Sequence, residues 1–175
     1  MHILLTRPLE DCSKMILKFQ SLGHKVSHLP LIRIEKIDYG EINFSEYSGI
    51  IFTSANAVKF LNIEKLDKKI KCFCVGSVTE KKARSIGFQN TISAEGNVAN
   101  LKELILQSYE VKNKGLIYVS GEKISVDLDQ QLASEGFNIK RIINYRVNHN
   151  QKFDEKFLTE LKLNIPEIVY IYSQN

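Results

Sequence analysis

Cysteine is scarce in this chain, and its placement excludes two kinds of chemistry. Cys12, Cys72 and Cys74 are odd in number and lack framework spacing, so a disulfide scaffold is excluded. Cys72 and Cys74 lie two apart on an extended segment and share a face, as buried reduced thiols rather than metal ligands. Long apolar runs are missing too, and none reaches the length of a membrane-spanning helix. The opening "MHILLTRPLEDCS" has no basic stretch and too short an apolar one for a secretory signal, so a cytoplasmic protein is expected. Charge of one sign is not concentrated anywhere. The net charge is only +4, and the densest basic run, Lys65 to Lys71, also holds Asp67. That run reads as a solvated face, and neither nucleic acid nor membrane is expected as a partner. There is no GxSxG, HExxH or P-loop. His24 and His28 are four apart, but Gly23 and Pro30 bracket them, so they do not make a helical metal pair, and no metal site is expected.

What is present is an ordinary globular composition. Hydrophobic residues are 43% of 175, enough to bury a core in one large domain or two small ones. His2 to Leu5 reads as a short strand. Met15, Ile16, Phe19 and Leu22 then recur at helical spacing, up to a stop at Gly23. Strand-like runs follow at "GIIF", "KCFCVG", "FQNTIS", "GLIYVSG", "NIKRIINYRV" and "EIVYIYS". Helical patterns fall between them, ended by Gly87 and Gly136. Asp154 reads as the N-cap of the last helix. Strand alternating with helix over short turns predicts an α/β fold with parallel sheets covered on both faces.

The pattern gives eight strands. Two extended segments, Leu29 to Ile37 and Asn144 to Gln151, are too long and too polar for internal strands. They read as two crossings between lobes, side by side. The expected domains are a continuous five-stranded lobe, 35–146, and a discontinuous three-stranded lobe, 1–34 plus 147–175.

Several strands end on small or hydroxylic residues: Thr6, Thr53-Ser54, Gly76-Ser77, Ser120-Gly121 and Ser173. In an open parallel sheet, ligands bind beyond the carboxyl ends of the strands, where the next helix offers free N–H groups to anions. Such residues also cap helices. Five strand ends of one character favour a shared ligand surface.

These segments carry a resemblance. "ILLTRP", "LPLIRIE", "YSGIIFTSANAVKF", "CVGSVT", "LIYVSGE…LDQQLASEG…INYRV" and "EIVYIYS" follow one another as in the uroporphyrinogen-III synthase family. "FTSANAV" followed by "VGSVT" is the most specific pair. The resemblance implies two flavodoxin-like lobes joined by a two-stranded ladder, with no cofactor and no metal. It implies closure of the linear tetrapyrrole hydroxymethylbilane, with loss of water and inversion of the last pyrrole ring. The absence of a strong nucleophile suits that chemistry, because the substrate's own pyrroles expel the hydroxyl and the enzyme must chiefly hold the pose.

Carried over by motif, the substrate-binding candidates are Thr53, Ser54, Thr79, Ser120, Gly121 and Ser173. Arg7 and Lys123 join them as partners for the substrate's many carboxylates. Tyr145 in "INYRV" matches the family's tyrosine and is the catalytic candidate, as a donor to the departing hydroxyl. The partner expected is this small molecule, and the protein a monomer. Family members continue past the strand ending at Ser173, so the discontinuous lobe is expected to be incomplete and the natural chain longer. The alternative is a non-enzymatic flavodoxin-like domain binding a nucleotide, flavin or tetrapyrrole.

Overall fold

The computed structural model describes residues 1–171. In chain order the elements are β1 (His2–Leu5), α1 (Leu9–Ser21), β2 (Lys25–His28), β3 (Ile32–Lys36), β4 (Tyr47–Phe52), α2 (Ala55–Lys59), β5 (Lys71–Val75) and α3 (Gly76–Ser85). They continue with β6 (Asn90–Ala94), α4 (Val98–Ser108), β7 (Gly115–Gly121), α5 (Leu128–Ser134), β8 (Ile139–His149), α6 (Glu155–Leu163) and β9 (Ile168–Tyr170). The chain divides into two compact units: Met1–Glu35 with the stretch from Val147 onward, and Lys36–Arg146.

The larger unit is built on five parallel strands in the order β8-β7-β4-β5-β6. Its first strand is central. β5 and β6 extend the sheet one way and β7 and β8 the other, so the winding reverses beside β4. The flavodoxin-like order also reverses beside its first strand, but it sets one strand on the far side where this unit sets two. Side chains alternate along each strand, and both faces are covered. Ile50, Phe52, Cys72, Cys74, Ile117, Val119 and Ile142 pack under α2 and α3 through Ala57, Val58 and Ala83. Ile51, Phe73, Leu116 and Tyr118 pack on the other face under Leu101 and Ile105 of α4 and Leu128 and Leu132 of α5. β7 is buried along its whole length, which is why "GLIYVSG" reads as a continuous run rather than an alternating one. Cys72 and Cys74 share a face as expected, buried and unpaired, with sulfurs 3.8 Å apart.

In the smaller unit β1 lies between β2 and β9, parallel to both. Ile3, Leu5 and Cys12 make its core, with Met15, Ile16 and Phe19 of α1 packed on them. Gly23, at φ +78°, lets α1 stop in a left-handed turn. Its N–H reaches Gln20 O, and that of His24 reaches Phe19 O, so two end carbonyls of the helix are satisfied.

The stretch "HKVSHLPLIRIEKI" is two strands, so the described residues hold nine strands rather than eight. β2 pairs with β1, while β3 pairs with β8. The change of partner is made at Leu31. Its N–H still donates to Thr6 O past the end of β1, but its carbonyl accepts from Asn150 N–H past the end of β8. Pro30 has no N–H to continue the first pairing. The β3–β8 ladder is antiparallel, because Ile37 bonds back to Asn144 while Leu31 bonds to Asn150.

Candidate active site at the strand ends of the larger unit

The carboxyl ends of β4, β5, β6 and β7 lie at one edge, past which β8 runs on from Tyr145 to His149, and β4 and β7 flank the point where the winding reverses. Thr53 and Ser54 follow β4, and Ser120 and Gly121 close β7. Thr53 is half-buried, and its hydroxyl lies 3.2 Å from the Tyr118 phenol. Burial holds that phenol above its ordinary range; the Thr53 hydrogen bond and the Arg141 charge act against the shift. Ser54 caps α2, its Oγ accepting from Asn56 N–H at 3.2 Å. The first turn of α2 therefore stays fixed, with the Thr53 hydroxyl ahead of it.

The placement of Tyr145 depends on a break in register. Ser120 pairs with Ile143, but Gly121 pairs with Tyr145, so β8 carries one extra residue, Asn144. A bulge of this kind re-aims the side chains that follow it. Up to Ile143 the odd residues of β8 face α4 and α5, as Ile139 does, and the even ones face α2 and α3, as Ile142 does. After the bulge Tyr145 packs on the α2 and α3 side instead. Gly121 makes room for it. A Cβ at 121 would lie 2.7 Å from Cζ of the Tyr145 ring and 3.0 Å from its hydroxyl oxygen. Asn144 is fully buried; its Nδ2 donates to Ala57 O of α2 at 2.7 Å, while its Oδ1 is enclosed without a hydrogen-bond partner. Strand β8 is thus tied to the helix that follows Thr53 and Ser54.

Two of the expected hydroxyls do not open outward. Ser120 is 1% exposed, donates to Gly121 O at 3.1 Å and accepts from Arg141 Nε at 2.8 Å. Thr79 is 5% exposed, because the fourth residue of α3 faces the sheet rather than the helix start. Lys123 is exposed two residues beyond Gly121. Arg7 belongs to the smaller unit and follows β1. It is half-buried, and its carbonyl accepts from His28 Nε2 at 2.7 Å. Ser173 lies outside the described residues.

The sequence pattern passed over Arg141. Its Nε holds Ser120 Oγ, and its Nη2 holds Gly121 O at 2.9 Å and Glu122 O at 3.1 Å. No acidic side chain pairs with it among the described residues, and neither periodicity nor motif singles out one arginine in a strand. Among the described residues no cluster of His, Cys, Asp and Glu is suited to a metal. The strand-end edge can therefore offer amides, the Thr53 hydroxyl and a phenol set above a glycine. These are groups that grip carboxylates and orient a flexible anion.

A family model described as uroporphyrinogen-III synthase HemD matches residues 13–175. A curated relative, the porphyrin biosynthesis protein HemD of Ruminiclostridium josui, is 26% identical over 161 residues. That match covers 84% of this chain and 32% of the relative, so the chain spans about a third of that relative's length. Among solved structures, the uroporphyrinogen-III synthetase of Helicobacter pylori superposes with a TM-score of 0.60 at 18% identity. It is covered to 72% by 97% of this chain. A mutant uroporphyrinogen III synthase of Thermus thermophilus gives a TM-score of 0.56 at 16% identity, over 94% of this chain and 69% of that one. At such identities the likeness is one of fold.

Proposed function

The chain belongs to the uroporphyrinogen-III synthase family, and on that premise we propose that it closes hydroxymethylbilane to the macrocycle, with loss of water and inversion of the last pyrrole ring. The observation that carries this reading is the seat of Tyr145, turned by the β8 bulge onto the α2 side and fitted over Gly121 at the strand ends. A phenol held there serves as a hydrogen-bond or proton donor to the departing hydroxyl. The amides at the start of α2 and the Thr53 hydroxyl take substrate carboxylates, while Ser54 acts through its cap of that helix.

Lys123 supplies charge from the exposed turn after β7, and Arg7, by its charge, and Ser173, by its motif, are proposed as further substrate-binding residues. Ser120 in β7 and Thr79 on the buried face of α3 support the site from within, so their alanine variants act on geometry rather than on a direct contact. Catalysis rests on orientation: ring closure without inversion competes, and the site must hold the substituted carbon of the last ring in the attacking pose. The same reading takes 1–34 with 147–175 and 35–146 as the domains, and a monomer in the cytoplasm that uses no cofactor.

The test is an assay on freshly prepared hydroxymethylbilane that separates the type I and type III products. A type III product that falls with Tyr145→Phe is expected. A positioned donor is worth roughly 10²–10⁴-fold, and a leaving group that departs readily puts this one near the low end. Type I product alone, at the uncatalysed rate, refutes the reading. In that case a non-enzymatic binding domain is tested by the chromophore it retains on purification.

A further inference from the structure

We propose that Arg141 is a positioning residue of this site, a clamp on the turn after β7 that keeps Tyr145 on the α2 side. Only its effect on the product depends on the synthase reading.

The geometry is that of a planar fork set against three oxygens. Nε bonds Ser120 Oγ, and the two N–H groups of Nη2 take the carbonyls of Gly121 and Glu122. These are the residues on which Tyr145 depends. The Glu122 N–H donates to Tyr145 O at 2.9 Å, and the face of Gly121 receives the Tyr145 ring. Arg141 stands opposite Tyr118, before the bulge and on the α4 and α5 side of β8, whereas Tyr145 packs on the other side. It therefore acts through the backbone and not by touching the phenol. Were the turn to straighten, Gly121 would pair with Asn144, the bulge would be lost, and Tyr145 would swing to the opposite face. Three hydrogen bonds from one charged group oppose that slip, and charge-assisted bonds of this kind are about twice as strong as neutral ones. A lysine ammonium cannot reproduce the fork.

The experiment compares the wild-type protein with Arg141→Lys and Arg141→Met. It reads hydrogen exchange at the Glu122 amide, the NMR shifts of the Tyr145 ring, and the ratio of type III to type I product from hydroxymethylbilane. Arg141→Met is expected to speed exchange at Glu122 by tenfold or more and to move the Tyr145 shifts, with the core amides of Ile51 and Phe73 unaffected. The product ratio is expected to fall severalfold, and Arg141→Lys to lie between the two. If Arg141→Met does not fold, Arg141→Lys and Ser120→Ala, which remove part of the clamp, carry the same comparison. Unchanged exchange and ring shifts overturn the proposal, and so does an unchanged ratio in an active protein. If the wild type forms no type III product, the synthase reading fails while exchange and ring shifts still decide the clamp.

Discussion

In the larger unit all seven residues of β7 are buried; in the smaller, all three residues of β9 are exposed. Both units are built on parallel strands, and in both strand and helix largely alternate. They differ in coverage. The sheet of the larger unit has helices on each face and two separate apolar clusters beneath them. Among the described residues the smaller unit has one cluster, made by β1, α1 and Val26 of β2. Each fully buried large apolar side chain contributes about 1.5–3 kcal/mol relative to exposure. Stability should therefore concentrate in the unit that holds the candidate strand-end site, and that favours a site whose geometry has to be rigid.

The sharpest way to break this comparison is to remove one large side chain from each sheet. Phe52, fully buried in β4, packs edge-on against Phe88 with ring centroids 5.7 Å apart. Phe52→Ala should cost about 3–5 kcal/mol. Val169 in β9 is 50% exposed, and Val169→Ala should cost about 1 kcal/mol or less. Hydrogen exchange of the amides of β7 and β1 reads the two effects separately. Equal losses in both units would mean that the smaller sheet is as well packed as the larger.

A second test moves from stability to the site. Gly121→Val places a side chain where the Tyr145 ring lies, with a first contact at 2.7 Å. The ring must move, while the strand, whose φ is not in the left-handed region, keeps its pairing. A misplacement of about 1 Å can cost 10²-fold in rate. The expected outcome is a loss of about that size in type III product, with exchange in the core strands little changed. A variant that unfolds instead would show that Gly121 serves packing before geometry.

These expectations mark where the sequence was legible. Hydrophobic periodicity and the glycines at 23, 87 and 136 placed the strands and helices and gave the parallel α/β class, because those signals are local. The α2 cap by Ser54 and the α6 cap by Asp154 are local in the same way. Three features of the site are not. Strand alternation assigns Tyr145 to the α4 and α5 face, and only the pairing of β7 with β8 shows the bulge that turns it over. Thr79 follows a strand end in the sequence, yet the helical turn carries it under the sheet. Arg141 has no sequence signal at all, since its partners are two carbonyls and a serine 19 to 21 residues away. The break at Leu31 was hidden for a related reason: both of its strands are extended, and only their partners differ.

A smaller effect is expected at the far edge of the covered sheet. Glu80 of α3 accepts from Ser93 Oγ at 2.6 Å, from Arg84 Nη2 at 2.8 Å and from Thr91 Oγ1 at 3.1 Å, which ties the helix to β6. The Ser93 hydrogen bond, followed by that of Arg84, holds its carboxyl below the ordinary carboxylate range. A carboxylate depressed in the folded state contributes stability that is fully present above its unfolded value. That contribution is lost as pH falls through the lower folded value. Glu80→Gln should cost about 1–2 kcal/mol at neutral pH, and the difference from wild type should shrink at pH values below the ordinary carboxylate range. A difference that stays constant with pH would assign the loss to shape rather than to charge.

The smallest effect tests the exposed side directly. Leu163 and Ile165, which end α6 and lead toward β9, are 78% and 77% exposed. Large apolar groups left in water gain nothing from folding, so Leu163→Ser and Ile165→Ser should each change stability by no more than about 0.5 kcal/mol. The same exposure makes them adhesive, because exposed large apolar groups favour association with another chain. The two substitutions together should therefore lower self-association in sedimentation at high concentration while leaving urea midpoints unchanged. A loss above about 1.5 kcal/mol from either would show that these side chains are covered in the protein in solution. The contrast in coverage between the two units, drawn over the described residues, would then not hold.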